Sequence, residues 1–102
     1  MEGKIPVAIL GATGTVGQKF IVLLQDHPWF EITELAASPR SAGKTYGEAC
    51  SWKQDMPLPR EIAEKTVLAA GDALESRILF SGMDSSVAGP LEEHYAEEGH
   101  VV

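Results

Sequence analysis

Three glycines, at positions 11, 14 and 17, follow an apolar run near the start of the chain. The run 7–10 (Val-Ala-Ile-Leu) is typical of a buried strand, and apolar residues at positions 16, 20, 23 and 24 then recur at helical spacing. A strand that leads through glycines into a helix brings unpaired N–H groups and the positive end of a helix dipole to one point. Such a glycine turn is typical of a site for the pyrophosphate of a dinucleotide.

The spacing of these glycines is G-x-x-G-x-x-G and not G-x-G-x-x-G, so the pattern alone is weak evidence. Its place between a predicted strand and a predicted helix makes the prediction stronger. The alternative is an ordinary strand–helix turn whose glycines serve packing. Two threonines between the glycines, Thr13 and Thr15, favour the specialised site.

The residues after the second predicted strand, 31–37, indicate which dinucleotide is bound. A site for NAD has an acidic residue at the end of this strand, where it binds the ribose 2′-hydroxyl. Here Ser38, Arg40 and Ser41 occupy that region and no acid is present. A guanidinium binds a phosphate through two parallel hydrogen bonds, and hydroxyls donate to the remaining oxygens. We therefore predict NADP as the cofactor; the alternative is a polar surface loop with an incidental arginine.

The same loop, residues 38–45, nearly matches the phosphate-binding loop of ATPases. Its sequence is Ser-Pro-Arg-Ser-Ala-Gly-Lys-Thr, with Ser38 where that motif has glycine. The motif also needs its lysine and threonine at the start of a helix, and Tyr46 and Gly47 are not expected to open one. The ATPase interpretation is therefore rejected, and Lys44 either helps to attract a phosphate or is solvated.

Length and composition exclude several classes of protein. The chain has 102 residues, 44% hydrophobic and 23% charged, which suits one small globular domain. A net charge of −7 argues against binding to nucleic acid or to an anionic membrane. One cysteine, no signal peptide and no apolar run of membrane-spanning length predict a cytoplasmic protein.

The elements that must position these residues alternate between strands and helices. This alternation predicts an α/β fold, a Rossmann-like doubly wound parallel sheet. For residues 66–70 a short strand is expected, and a helix continued from Glu61 is the alternative. Because a strand begins in the last residues, we expect the sequence to be the front of a larger protein. The predicted elements are strands at 5–10, 31–37, 66–70 and 77–81, helices at 15–26 and from Pro90 to about Glu98, a long connection at 38–60, a stop at Gly99 and a strand from His100.

Three motifs in a fixed order carry a resemblance to a known family. They are the glycine turn, the 38–45 loop and the segment 80–90 (Phe-Ser-Gly-Met-Asp-Ser-Ser-Val-Ala-Gly-Pro). Together they resemble the N-terminal part of aspartate-semialdehyde dehydrogenase, in its archaeal and fungal branch. The resemblance extends over essentially all of the chain.

The resemblance implies an oxidoreductase that uses NADPH to convert aspartyl phosphate to aspartate semialdehyde, a step toward lysine, threonine and methionine. It also implies a dimer or tetramer. The cysteine nucleophile and the acid/base histidine of the family are expected beyond position 102. Residues 1–102 would then be an incomplete NADP-binding domain that binds cofactor and has no catalytic residue.

Site residues follow from the matching positions, in three groups and two weaker candidates. The pyrophosphate turn comprises Gly11, Thr13, Gly14, Thr15 and Val16, and the 2′-phosphate loop comprises Ser38, Arg40 and Ser41. The strand end that the cofactor is expected to cross comprises Ser81, Gly82 and Met83. The weaker candidates, near the nicotinamide or the substrate phosphate, are Ser85 and Ser86.

Other interpretations stay open at this point. A related reductase acting on malonyl-CoA or N-acetylglutamyl phosphate, or an NADP-sensing module without catalysis, would use the same turn. A short-chain dehydrogenase is less favoured, since the sequence has no Tyr-x-x-x-Lys. Cys50 is expected to be inert, because no histidine lies near it in sequence, and His27, His94 and His100 have no metal-binding spacing.

Overall fold

The fold is a parallel sheet with helices on both faces. The computed structural model describes residues 4–25, 27–38, 40–82 and 85–102, with the backbone alone for 85–88. The elements in chain order are β1 Ile5–Leu10, α1 Thr15–Leu24, β2 Phe30–Ala37, α2 Tyr46–Ala49, α3 Arg60–Ala63, β3 Leu68–Ala69, β4 Ile78–Ser81 and α4 Ser85–Glu97.

The strands pair in the order β3-β2-β1-β4, and every pair is parallel. Val101 pairs with Ile78 in a parallel bridge, so the residues after α4 lie on the outer side of β4. The strand expected from His100 is present only as this isolated bridge at Val101. This topology confirms the predicted Rossmann-like sheet, and it makes β1 the central strand beside both β2 and β4.

The two faces of the sheet bury separate cores, and β1 contributes to both. Val7 and Ile9 pack on the face covered by α1, α2 and α3, whereas Ala8 and Leu10 pack on the face covered by α4. All four side chains are fully buried. A strand buried on both faces explains why its sequence is continuously apolar and does not alternate.

The buried face of α1 differs from the apolar pattern in the sequence. Val16 is 53% exposed and Leu23 is 64% exposed, although both belong to that pattern. Gln18 is buried instead, because its side-chain amide is fully hydrogen-bonded beneath the glycine turn. The helix also ends at Leu24, two residues before the predicted end. The residues of α1 that are buried are Gly17, Gln18, Ile21 and Leu24.

The predicted start of α4 at Pro90 is wrong. The helix begins at Ser85 and Pro90 lies inside it. Proline favours the first turn because it needs no N–H partner there, but a helix can also continue through it at the cost of one hydrogen bond. The end is as expected: Gly99 has a φ of 99°, and the His100 N–H donates to the Tyr95 carbonyl at 3.0 Å in a Schellman motif.

Between β2 and β4 the chain holds more structure than the sequence predicts. The expected long connection contains α2, and α3 begins at its last residue, Arg60. The third strand is confirmed but covers only Leu68–Ala69. Since α3 ends at Ala63, the alternative of a helix continued through 66–70 is wrong.

Candidate functional site

The three predicted motifs meet at the carboxyl edge of the sheet. The glycine turn follows β1, the 38–45 loop follows β2, and Ser81 and Gly82 lie at the end of β4. The Ala12 N–H donates to the Ala36 carbonyl at 3.0 Å, and the Gly82 N–H donates to the Leu10 carbonyl at 2.9 Å. The central strand thus ties both neighbouring strand ends to the turn, at the edge where doubly wound sheets bind ligands.

Two of the three glycines in the turn are required by the fold itself. Gly11 has a φ of 69°, in the left-handed region that favours glycine. A Cβ on Gly17 would collide with the Gly11 carbonyl oxygen and lie 2.7 Å from the Ala12 Cα. Gly11 therefore makes the bend, and Gly17 lets α1 approach it closely.

Gly14 has no such requirement within the chain. Its φ is −81°, which any residue adopts, and a Cβ there would lie 3.6 Å from the Gly11 carbonyl oxygen, an ordinary contact. It is exposed at the N-cap of α1, where no side chain caps the helix and no acidic residue occupies the first turn. The helix start therefore presents uncapped N–H groups over a residue without a side chain, which suits an anion approaching from outside.

The carbonyls of the turn point into the protein. The Tyr46 hydroxyl donates to the Ala12 carbonyl at 2.6 Å, and the Gln18 amide donates to the Thr13 carbonyl at 3.0 Å. In a planar trans peptide a carbonyl and the N–H of the next residue point in opposite directions. The Thr13 N–H is therefore directed away from Tyr46, whereas the Gly14 N–H donates within the turn to the Gly11 carbonyl at 3.1 Å.

The sequence interpretation missed both of these side chains. Gln18 follows the last glycine directly, and Tyr46 follows the 38–45 loop directly. Neither residue gave a signal in the sequence. Position 18 lies outside the predicted apolar face of α1, and the Tyr46 contact joins residues 34 positions apart.

The loop after β2 presents its predicted residues differently. Ser38 and Arg40 are exposed, while Ser41 is half-buried. The Ser38 carbonyl accepts from the Ser41 N–H at 2.9 Å, which turns the chain after the strand. Arg40 is thus an exposed cation next to the carboxyl end of β2.

The loop's likeness to an ATPase motif fails for a reason other than the predicted one. Tyr46–Ala49 does form a short helix, and Thr45 caps it together with Glu48. However, the Gly43 N–H donates to Val67 and the Tyr46 N–H donates to Lys65. Because these N–H groups are used internally and the Glu48 carboxylate stands at the helix start, the loop offers no cradle for a triphosphate.

At the end of β4, Gly82 packs on the first turn of α1, where a Cβ would lie 2.8 Å from the Gly17 nitrogen. The Ser81 hydroxyl oxygen is buried without a hydrogen-bond partner among the described residues. Buried hydroxyls in proteins nearly always have a partner, so this one suits a ligand or a further protein segment. Met83 lies outside the described residues, and Ser85 and Ser86 begin α4 as backbone alone.

Cys50 lies below the turn, and its environment does not activate it. Its Sγ is half-buried and 3.9 Å from the Thr13 carbonyl oxygen. Burial raises the pKa of the Cys50 thiol, and the Tyr46 hydroxyl opposes this only in part. The thiol is therefore protonated at neutral pH and is a poor nucleophile, as the sequence predicted.

Among the residues that the structure describes, no group of three or more His, Cys, Asp or Glu side chains could hold a metal ion. No helix in those residues is both long enough and apolar enough to cross a membrane.

Comparison with known proteins identifies relatives of matching sequence. A profile of the family described as "Semialdehyde dehydrogenase, NAD binding domain" matches residues 6–102. An aspartate-semialdehyde dehydrogenase from Schizosaccharomyces pombe is 49% identical over 98 residues, which is 94% of this chain and 28% of that protein. One from Archaeoglobus fulgidus is 45% identical over 101 residues, 97% of this chain and 29% of the relative. The chain thus spans less than a third of the length of these fungal and archaeal relatives.

A solved structure shares the fold. The crystal structure of aspartate semialdehyde dehydrogenase with NADP from Candida albicans superposes with a TM-score of 0.89 at 46% sequence identity. The match covers 95% of this chain and 28% of that one. The resemblance inferred from the three motifs is therefore confirmed over nearly the whole chain.

Proposed function

This chain belongs to the family of semialdehyde dehydrogenase NAD-binding domains, and we propose that it binds NADP(H) for an aspartate-semialdehyde dehydrogenase. The observation that carries the proposal is the exposed start of α1 at Gly14. The fold has room for a Cβ at this position, so the glycine is explained by the approach of a ligand and not by packing within the chain. The pyrophosphate binds there, against the N–H groups of the turn and the dipole of α1.

Arg40, Ser38 and Ser41 bind the 2′-phosphate of the adenosine in this proposal. Arg40 and Ser38 are exposed beside the carboxyl end of β2, and no acidic side chain follows that strand. A carboxylate there would bind the ribose 2′-hydroxyl of NAD and repel a 2′-phosphate, whereas a guanidinium favours the phosphate. The Candida albicans relative, whose structure is described with NADP, supports the same choice.

The remaining contacts run from the turn along the strand ends. Thr13, Thr15 and Val16 surround the pyrophosphate, and Ser81, Gly82 and Met83 line the path toward the nicotinamide. Ser81 contributes a buried hydroxyl with no partner among the described residues. Ser85 and Ser86 lie next along the chain, on the side of the nicotinamide or the substrate phosphate.

The reaction proposed for the whole enzyme is reductive dephosphorylation. Overall, aspartyl phosphate, NADPH and a proton would give aspartate semialdehyde, NADP⁺ and phosphate. This chain binds and orients the cofactor, while a cysteine and a histidine outside these residues attack the acyl group and transfer protons. Cys50 is not that cysteine, since burial raises the pKa of its thiol. The relatives described above carry the name of this enzyme, which supports aspartyl phosphate over malonyl-CoA or N-acetylglutamyl phosphate.

Further proposals concern the setting of the whole protein. We infer that residues 1–102 are part of a larger NADP-binding domain, that the enzyme is a homodimer or homotetramer, and that it works in the cytoplasm. The relatives are more than three times longer than the matched region, which supports the first of these.

Calorimetric titration of the chain with NADPH and NADH tests the cofactor assignment. We expect NADPH to bind at least tenfold more tightly, a difference of about 1.4 kcal/mol, and Arg40→Ala to abolish that preference. Arg77→Ala is the matched control, because Arg77 is an exposed arginine at the amino end of β4, away from the proposed site. Equal affinities for the two cofactors, or an unchanged preference in Arg40→Ala, would overturn the NADP assignment. No binding of either would overturn the site itself.

A further inference from the structure

Two buried polar side chains lie beneath the glycine turn and belong to none of the proposed cofactor contacts. Tyr46 is fully buried and Gln18 is 2% exposed. Each donates a hydrogen bond to one carbonyl of the turn, Tyr46 to Ala12 at 2.6 Å and Gln18 to Thr13 at 3.0 Å. Burying a phenol and an amide is costly unless their polar atoms are paired, so these contacts fix where the two side chains and the turn can lie.

We propose that Tyr46 and Gln18 are positioning residues for the cofactor pyrophosphate. Tyr46 holds the Ala12 carbonyl inward and so directs the Thr13 N–H toward the ligand, while Gln18 holds the Thr13 carbonyl and with it the bend in which the Gly14 N–H donates to the Gly11 carbonyl at 3.1 Å. The inference rests on the proposed function. The carbonyl and the next N–H of a trans peptide are antiparallel, so a carbonyl released from its donor lets the peptide rotate and its N–H leave the anion. Donors that are already oriented bind an anion without a reorganisation cost.

Gln18 connects the turn to a second segment of the chain. Its amide nitrogen also donates to the Ser51 carbonyl at 3.1 Å, and its amide oxygen accepts from the Lys53 N–H at 2.9 Å. The glutamine therefore has partners on both ends of its amide and cannot rotate without losing them. Such a fully satisfied buried amide is a rigid support for the turn.

Tyr46 connects the turn to the other half of the proposed site. It is the first residue of α2 and comes directly after the 38–45 loop, and its own N–H donates to the Lys65 carbonyl at 2.8 Å. One residue thus ties the pyrophosphate turn after β1 to the 2′-phosphate loop after β2. Burial raises the pKa of the Tyr46 hydroxyl, so the phenol keeps the proton that it donates.

The test compares two ligands in Tyr46→Phe. NADPH carries the pyrophosphate, whereas adenosine 2′-monophosphate carries the adenosine and 2′-phosphate without it. The phenyl ring preserves packing and the backbone contact to Lys65, so the variant loses the donor to Ala12 together with the contact of the hydroxyl with the Cys50 thiol. We expect the ratio of the NADPH to the 2′-monophosphate dissociation constant to rise about five- to tenfold, the scale of one hydrogen bond. A partly unfolded population weakens both ligands by the same factor, so the ratio is unaffected by a loss of stability.

Tyr95→Phe is the matched control. Tyr95 is also buried, and its hydroxyl accepts from the Gly71 N–H at 2.7 Å and donates to the Asp72 carbonyl at 2.8 Å. It lies in the core of the other face, so its loss is expected to lower the melting temperature and leave the ratio unchanged.

Gln18→Glu is the second variant, in which the introduced carboxyl keeps an acceptor for the Lys53 N–H but loses the donor to Thr13. We expect the same rise in ratio at neutral pH, and a partial return as acid protonates the carboxyl and restores a donor. An unchanged ratio in both variants, or an equal rise in Tyr95→Phe, would overturn the positioning role while the proposed function stands. Absence of NADPH binding in the unmodified chain would instead overturn the proposed function, and this inference with it.

Discussion

Gly82, at the end of β4, packs backbone to backbone on Gly17 in the first turn of α1. A Cβ on Gly82 would lie 2.8 Å from the Gly17 nitrogen and 3.1 Å from its Cα. Both neighbours are backbone atoms and cannot move aside as a flexible side chain would. The two glycines therefore set the distance between α1 and the end of β4.

Gly82→Ala is expected to destabilise the fold by about 1–3 kcal/mol, the usual cost of overpacking. For a domain of this size each kcal/mol corresponds to about 4–8 °C in melting temperature. Gly89→Ala is the control, because Gly89 is exposed in α4 and a Cβ there meets nothing within 4 Å. That variant should match or exceed the unmodified chain, since alanine favours a helix. Thermal unfolding followed by circular dichroism measures both, and equal melting temperatures for the two variants would contradict the close approach.

Gly14→Ala is expected to separate ligand binding from stability. Its added methyl meets the Gly11 carbonyl oxygen at an ordinary 3.6 Å, and alanine is a poorer N-cap than glycine, so the loss in unfolding free energy should be no more than about 1 kcal/mol. The same methyl projects toward the proposed pyrophosphate, and NADPH affinity should fall at least tenfold, about 1.4 kcal/mol. Calorimetry and a melting curve on one preparation check both. Retained NADPH affinity would show that the pyrophosphate does not approach this residue.

Much of this site is predictable from sequence because its signals are local. The apolar run of β1, the glycines after it and the Ser-Arg-Ser after β2 each lie within a few residues, and parallel pairing then brings the strand ends to one edge. The requirement for glycine at position 17 also follows from the motif. Whether Gly14 serves the fold or a ligand does not, because that distinction needs the distance from its missing Cβ to the neighbouring backbone.

What the sequence left open depends on contacts between distant segments. The buried face of α1 turns toward Gln18 and away from Val16 and Leu23, because the amide finds partners at Ser51 and Lys53. Hydrophobic periodicity treats glutamine as a surface residue and cannot anticipate this. The predicted start of α4 was also wrong, because proline is favoured at helix starts but Pro90 lies inside this helix.

Cys50 is expected to react slowly with thiol reagents while the chain is folded. Only the thiolate reacts, and burial raises the pKa of this thiol above its ordinary value of 9.0. Labelling with iodoacetamide at neutral pH should therefore be slower in the native chain than in urea, and should accelerate only at a more alkaline pH. Cys50→Ser should bind NADPH within about twofold of the unmodified chain, because a hydroxyl keeps a donor near Thr13. Fast native labelling would instead indicate an activated thiol.

Glu34 organises the connection between β3 and β4 on the face opposite α1. Its carboxylate accepts from the Ser76 hydroxyl at 2.6 Å, from the Ser76 N–H at 2.8 Å and from the Glu75 N–H at 3.0 Å. Burial alone would raise the pKa of Glu34, but these hydrogen bonds, together with the charge of His100, outweigh it and hold the pKa below its ordinary value of 4.5. The charged form is therefore favoured in the folded state relative to the unfolded one.

Stability should consequently fall as acid protonates Glu34. A folded pKa below the unfolded one gives a contribution that is fully present above about pH 4.5 and is lost as the pH falls through the folded value. Glu34→Gln replaces an acceptor oxygen with an amide that faces the same donors, so it should cost about 1–3 kcal/mol at neutral pH. Because the variant has no carboxyl to protonate, its deficit in unfolding free energy relative to the unmodified chain should shrink as the pH is lowered.

Glu93→Gln, at an exposed position on α4, is the control and should show neither the loss of stability nor its dependence on pH. Urea unfolding at a series of pH values measures the difference, and a deficit for Glu34→Gln that is independent of pH would show that the carboxylate charge contributes nothing to folding.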